Sequence, residues 1–437
     1  KGKNLRVLLF IPLGFFLFQI TYNTMKWIFL LLLSYAPFLG AQELNCDCQK
    51  DLDFLYETLP KAPSFKAQIK GNRKAAFETH YRALRAQSSP QEPLFNCFML
   101  LVELMRDVKD NHLRINYSTQ KFSPDSLKDA AFVERFKKSE AYLLYPASKR
   151  DLDSLEKVLS LRPVDSLAGI YYYKNIFKMA VFQKENSDRY QGVLLESKLA
   201  SWQRGDVLME LWPEGDNRLF CITGNLVYKR LLHFPEAWLP GQFLKVHWTK
   251  EKMRPSYHDK GPIKETYGLV DLNEQVQYLK LGSFNSFGQT LRDADAFFDK
   301  IENQLKAPQL IVDLRDNSGG GPRSSQQFFK LLKSYNKNHQ LYVLINYGTT
   351  SQAEHFALKL KRLGGVQLLG RPSNGTLAYG RNKPSRYPFP SKKFDLLLTD
   401  SSYPIVFPFE QKGIIPDISL DYDQDWLEQS LEILQKP

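Results

Sequence analysis

Three stretches of this 437-residue chain bring together residue types that could do acyl-transfer chemistry. The first, Gln309 to Gly321, reads QLIVDLRDNSGGG: a short apolar run, then a break at Ser318-Gly319-Gly320-Gly321. Glycines at a strand end let backbone N–H groups turn toward a ligand with no Cβ in the way. The second, Leu341 to Leu363, places Thr349-Thr350-Ser351 after another apolar run. Beyond it, Ala353, Phe356, Ala357 and Leu360 recur at helical spacing. Ser351 therefore stands at a helix N-terminus, where unpaired N–H groups favour negative charge. A hydroxyl on one loop and free backbone donors on its neighbour make half of an acyl-transfer site, a nucleophile and an oxyanion hole. An N-cap and a tight turn would also account for these residues taken singly, since serine is a favoured cap. The third stretch, Gln367 to Gly380, adds a short strand and a turn.

The wording of the loops goes further. Asp313-Leu314-Arg315-Asp316-Asn317-Ser318-Gly319-Gly320 resembles the D-L-R-x-N-x-G-G of the tail-specific, or C-terminal-processing, serine peptidase family, which includes the tricorn core and the interphotoreceptor retinoid-binding modules. Thr349 to Glu354 resembles its T-x-S-x-x-E, whose serine is the nucleophile. Leu369 to Gly375 resembles its L-G-x-x-T-x-G, with Ser373 in place of threonine. Gly413 to Ile418 resembles its closing G-x-x-P-D-I. The processing-protease branch uses a Ser–Lys dyad with lysine just after the glycine of the third motif. Here that position is Thr376, and the nearby Arg381 stays protonated and cannot serve as a base. The resemblance is therefore to the tricorn-like branch, which uses serine, histidine and a glutamate. It implies His112, on the loop after an apolar helix over 93–108, as the base; His355, four residues past Ser351 on the same helix, competes as a second candidate. It implies Glu410, three residues before Gly413, as the third member. The oxyanion donors would be the N–H groups of Gly320 and Gln352, with Gly319 as substitute for Gly320. The same scaffold supports another reading, a non-catalytic ligand- or peptide-binding protein.

These residues need elements to hold them. The short apolar runs suit parallel strands covered on both faces, and the fold class expected is α/β, with a crotonase/ClpP-like catalytic domain over 263–437. Residues 42–118 read as an N-terminal helical segment. Residues 119–262 read as an all-β, small barrel-like inserted module, from alternating runs such as Lys178 to Phe182 and Asp206 to Leu211. No glycine-rich carboxylate-binding loop opens that module, so no clear PDZ domain is expected. The serine and its base lie on opposite sides of the module, so the site forms only if the helical segment docks on the sheet.

Composition narrows the function classes. With 43% hydrophobic and 24% charged residues the chain reads as globular. Four of the basic residues behind the net charge of +12, Lys1, Lys3, Arg6 and Lys26, precede residue 42 with no acidic residue among them. The rest are spread without a basic run interleaved with aromatics, so no nucleic-acid partner is expected. Met25 to Ala41 has the short charged start, apolar core and small-residue end of a signal peptide, and 1–24 reads as an upstream extension. An exported protein, periplasmic or at the cell envelope, with no stable membrane span after cleavage, is the expectation, with a polypeptide or peptide substrate. Export permits a disulfide, pairing Cys97 with Cys46 or Cys48. Cys46-Asp47-Cys48 lacks a second pair at ligand spacing, so neither a metal nor a cofactor is expected.

Overall fold

The computed structural model describes residues 44–254, 261–383 and 385–435. The expected extension and signal segment, 1–24 and 25–41, lie outside them. No described helix is long and apolar enough to cross a membrane.

The apolar runs at Leu310 and Leu341 become the centre of a six-stranded sheet. Its order is Tyr267–Asp271, Val276–Leu281, Gln309–Asp313, Gln340–Ile345, Gln367–Gly370 and Ile418–Ser419. The first pair is antiparallel and the others are parallel. Along these strands side chains alternate between two separate cores. Leu310, Val312, Leu341 and Val343 pack with Phe328 and Phe356 from helices Pro322–Tyr335 and Gln352–Lys361. Ile311, Leu344 and Leu369 pack on the opposite face with Trp426 of helix Trp426–Leu434. Burial on both faces is why the runs carry no polar alternation.

The inserted module is a meander of seven antiparallel strands from Gly169 to Phe243, each paired with the next in sequence. Thr249 bridges both Tyr172 on the first strand and Gln242 on the last, which nearly closes the sheet into a barrel. Residues 119–168, expected to be part of the β module, instead form short helices such as Ala130–Lys137 and Leu152–Leu159.

Two features fix the N-terminal helices in place. Strand Arg114–Tyr117 pairs antiparallel with Phe394–Leu397 of the catalytic domain, Ile115 opposite Leu396. Helix Cys48–Thr58 is tied to helix Leu94–Met105 by a disulfide between Cys48 and Cys97, which settles the choice left open between Cys46 and Cys48. The bridge closes a loop with a sequence separation of 49. In the chain-entropy account such a loop stabilises by about 4 kcal/mol. Cys48→Ser or Cys97→Ser is therefore expected to lower the unfolding free energy by ~2–4 kcal/mol in urea titration. A change under 1 kcal/mol would mean the helices are held by packing alone.

Candidate active site

Ser351 lies where strand Gln340–Ile345 gives way to helix Gln352–Lys361. The turn between them is fixed by Asn346, whose Oδ1 accepts from the N–H groups of Asp316, Gly348 and Thr349. Thr349 in turn donates its hydroxyl to the Leu314 carbonyl at 2.8 Å, joining this turn to the glycine loop. The turn leaves Ser351 with φ 58°, a left-handed conformation that costs a non-glycine residue on the order of 1–3 kcal/mol. What holds it is Glu354, fully buried, whose Oε2 accepts from the Ser351 N–H at 2.8 Å. The same carboxylate accepts from Ser373 Oγ, Gly375 N and Thr376 N, at 2.6, 2.7 and 2.9 Å. Glu354 thus pins the serine turn to the turn of the third motif.

His112 reaches this serine from the other end of the chain. Its Nε2 is 3.0 Å from Ser351 Oγ, across 239 residues. Position comes from Asp110, buried, whose Oδ1 accepts the His112 N–H at 2.9 Å while Oδ2 accepts the Thr399 hydroxyl at 2.8 Å. Burial first, then the positive charges of Arg114 and Arg381, hold the imidazole down to about 3, so it is neutral at ordinary pH. Its Nδ1 is buried without a hydrogen-bond partner among the described residues. His355, the second candidate, packs its ring edge-on to Tyr403 at 5.1 Å between centroids.

Glu410 is beside this loop but does not hold the imidazole. Its Oε1 accepts from Asn111 N at 2.9 Å, and its Oε2 accepts from Leu377 N at 3.0 Å and Ala378 N at 2.7 Å. It fixes the residue before His112 to Leu377 and Ala378, just past the third motif, so it acts on the imidazole through backbone. Burial pushes its carboxyl up to about 8 against those three donors.

Of the expected oxyanion donors, Gly319 differs from expectation. Its N–H is taken by Asn317 Oδ1 at 2.9 Å. Its Cα instead makes room: a Cβ there would lie 2.9 Å from both Gln352 N and Ser351 Cβ. The N–H groups of Gly320 and Gln352 have no hydrogen-bond partner among the described residues. Gly320 runs beside Phe284 with φ 139°, where a Cβ would meet the Phe284 carbonyl oxygen at 2.0 Å.

Two supporting residues have no role assigned by the sequence. Glu354 follows Ser351 at capping-box spacing, a signal that was present. Thr399 carries no signal, because it meets Asp110 only through the pairing of distant strands. Away from this site, Cys46, Asp51 and Cys97 bring three donor atoms within 4.8 Å of one another, with Cys97 committed to the disulfide.

Residues 321–420 match the model of peptidase family S41. This part of the chain is similar to peptidase family S41. Three of the four motifs fall inside the match, and the first ends one residue before it. The resemblance to tail-specific serine peptidases is thereby borne out, and the family gives the chain its enzyme class, a serine-type peptidase. No curated protein sequence matches the chain. Among solved structures, it is similar to a photosystem II D1 C-terminal processing protease, at 14% identity over 89% of this chain and 97% of that one, with a TM-score of 0.38. It is similar to a peptidase structure from Parabacteroides merdae, at 13% identity over 90% of this chain and 98% of that one, TM-score 0.39. It is also similar to the tricorn protease, at 12% identity over 89% of this chain and 36% of that one, TM-score 0.40. At these scores the family assignment rests on the sequence match.

Proposed function

We propose that this S41 peptidase is exported and hydrolyses peptide bonds with Ser351 as nucleophile, His112 as base and Glu410 as the residue that positions the base. The observation that carries the reading is the 3.0 Å contact between His112 Nε2 and Ser351 Oγ. A neutral imidazole at that distance can take the hydroxyl proton. Ser351 Oγ then bonds to the substrate carbonyl carbon, and the carbonyl electrons move to oxygen. The free N–H groups of Gly320 and Gln352 would receive that oxyanion. His112 returns the proton to the leaving amine as the C–N bond breaks, and water repeats the sequence to release the acid. The signal-like segment 25–41 and the Cys48–Cys97 disulfide support export. N-terminal sequencing of protein recovered from the envelope tests that part, with Gln42 as the expected first residue.

Labelling of the mature protein with a fluorophosphonate, followed by mapping of the adduct, tests the chemistry. The adduct is expected on Ser351 and absent in His112→Ala. A folded wild type that takes no label would favour a binding protein on this scaffold.

The charges of the site also set a pH dependence. His112 is held down to about 3, so it is already unprotonated across neutral pH and contributes no limb near its ordinary value. Glu410 loses its proton as pH rises through about 8, and its negative charge then favours the imidazolium that forms in the reaction. The value of kcat/KM is expected to climb toward alkaline pH with a midpoint near 8. Glu410→Gln is expected to flatten that rise. A midpoint near 6.5 unchanged in the variant would return the titration to an ordinary histidine.

A further inference from the structure

A small cavity adjoins the loop that carries His112. One wall is Asp110, Asn111, Leu113 and Arg114 of that loop, and another is Glu214, Arg218, Phe220 and His233 of the β module. Its volume of about 20 Å³ is room for a single water-sized guest.

The wall offers donors that lack acceptors. His233 is 4% exposed, and its Nε2 accepts the Ile115 N–H at 2.9 Å. A ring nitrogen that accepts cannot carry the proton, so the proton of the neutral imidazole is on Nδ1. That Nδ1–H is buried without a partner among the described residues. The Nε–H of Arg106 is likewise buried and unpartnered, while its Nη2 pairs with Glu214. Buried donors left unpaired are rare and costly. Charge points the same way. Arg114 gives Nη1 to the carbonyls of Asn111 and Leu113, and no carboxylate is within ion-pair distance of Arg114 or Arg218 among the described residues. Asp110 is committed to the His112 N–H and the Thr399 hydroxyl.

We propose that this cavity binds one monovalent anion of chloride size, and that the bound anion accelerates the reaction of Ser351. An acceptor without hydrogens answers both orphan donors and faces two unpaired guanidinium groups. Phosphate and a peptide carboxylate exceed the space. The link to catalysis is Arg114, whose charge is one of those that hold down the basicity of His112. An anion beside Arg114 offsets that field and makes His112 a better base.

The rate effect rests on the Ser351–His112 reading, whereas the binding does not, so two readouts separate them. The first is the rate of fluorophosphonate labelling of the full mature chain in potassium chloride against potassium gluconate, at equal ionic strength and pH. Chloride is expected to raise the rate about fivefold, the lower end of ordinary coupling between sites. Arg218→Gln is expected to lose most of that response. The second is a crystal grown in bromide, where an anomalous peak is expected within hydrogen-bond distance of His233 Nδ1. Equal rates in the two salts, or a site holding only water in bromide, would overturn the proposal. A bromide peak in a protein whose Ser351 never takes label would overturn the coupling and the peptidase mechanism beneath it, and leave the anion site standing.

Discussion

Replacing Ser351 with alanine is expected to lower kcat on a cleavable peptide by roughly 10⁶-fold, and replacing His112 with alanine by about 10⁴-fold or more. The two effects have one cause. Without Oγ there is no covalent intermediate, and without Nε2 the hydroxyl keeps its proton, since the described contact to Ser351 Oγ comes from His112. The double variant is therefore expected to be little worse than Ser351→Ala alone, because residues that act as a unit do not add. KM is expected to stay within a few-fold in both single variants, as neither side chain is needed to bind an extended peptide. The measurement is single-turnover cleavage of a fluorogenic peptide by stopped assay over hours. Residual activity in His112→Ala within tenfold of wild type would show that another group takes the proton. His355 would then be tested next, although its ring is engaged with Tyr403.

How much of this could be seen beforehand follows from where each signal is stored. The parallel strands and the serine turn were legible because their signals are local. Two-sided burial writes itself as continuous apolar runs at Leu310–Val312 and Leu341–Ile345, and the turn writes itself as glycines and a capping serine. His112 was reached through family resemblance, since its partner is 239 residues away and no spacing rule spans that distance. The pairing of strand Arg114–Tyr117 with Phe394–Leu397 leaves no local signal, and that pairing is what delivers the histidine. Glu410 illustrates a different failure. Its position before Gly413 suggested a carboxylate bonded to the imidazole, whereas all three of its described partners are backbone N–H groups. Gly319 was read as a donor because glycine loops often supply donors, while the cause of glycine there is the close approach of Ser351 and Gln352. Helices within 119–168 were hidden because they are short and amphipathic, and alternation further along dominated the segment.

The second large effect is expected at a residue that never meets substrate. Glu354→Ala is expected to cost about 3–5 kcal/mol of stability, because it leaves the N–H groups of Ser351, Gly375 and Thr376 and the Ser373 hydroxyl without their shared acceptor in a buried site. Each orphaned donor costs on the order of 1 kcal/mol or more. Catalysis is expected to suffer before unfolding does. With its N–H released, Ser351 can leave φ 58°, and the hydroxyl then swings away from Nε2. Glu354→Gln separates the two effects, since its one remaining acceptor oxygen keeps some of the bonds while its amide hydrogens oppose the others. It is expected to stay folded under assay conditions with fluorophosphonate labelling slowed ~100-fold, the scale on which misplacement of a reacting group by about 1 Å acts. Urea unfolding and labelling rate measured on the same preparations decide it. Should Glu354→Gln label at the wild-type rate, the strained turn would be held by Asn346 and Thr349 alone. Glu354 would then serve the third-motif turn and not the nucleophile. The distinction matters for how the site is built, because the Ser351 turn would not then depend on the motif that carries Ser373 and Gly375.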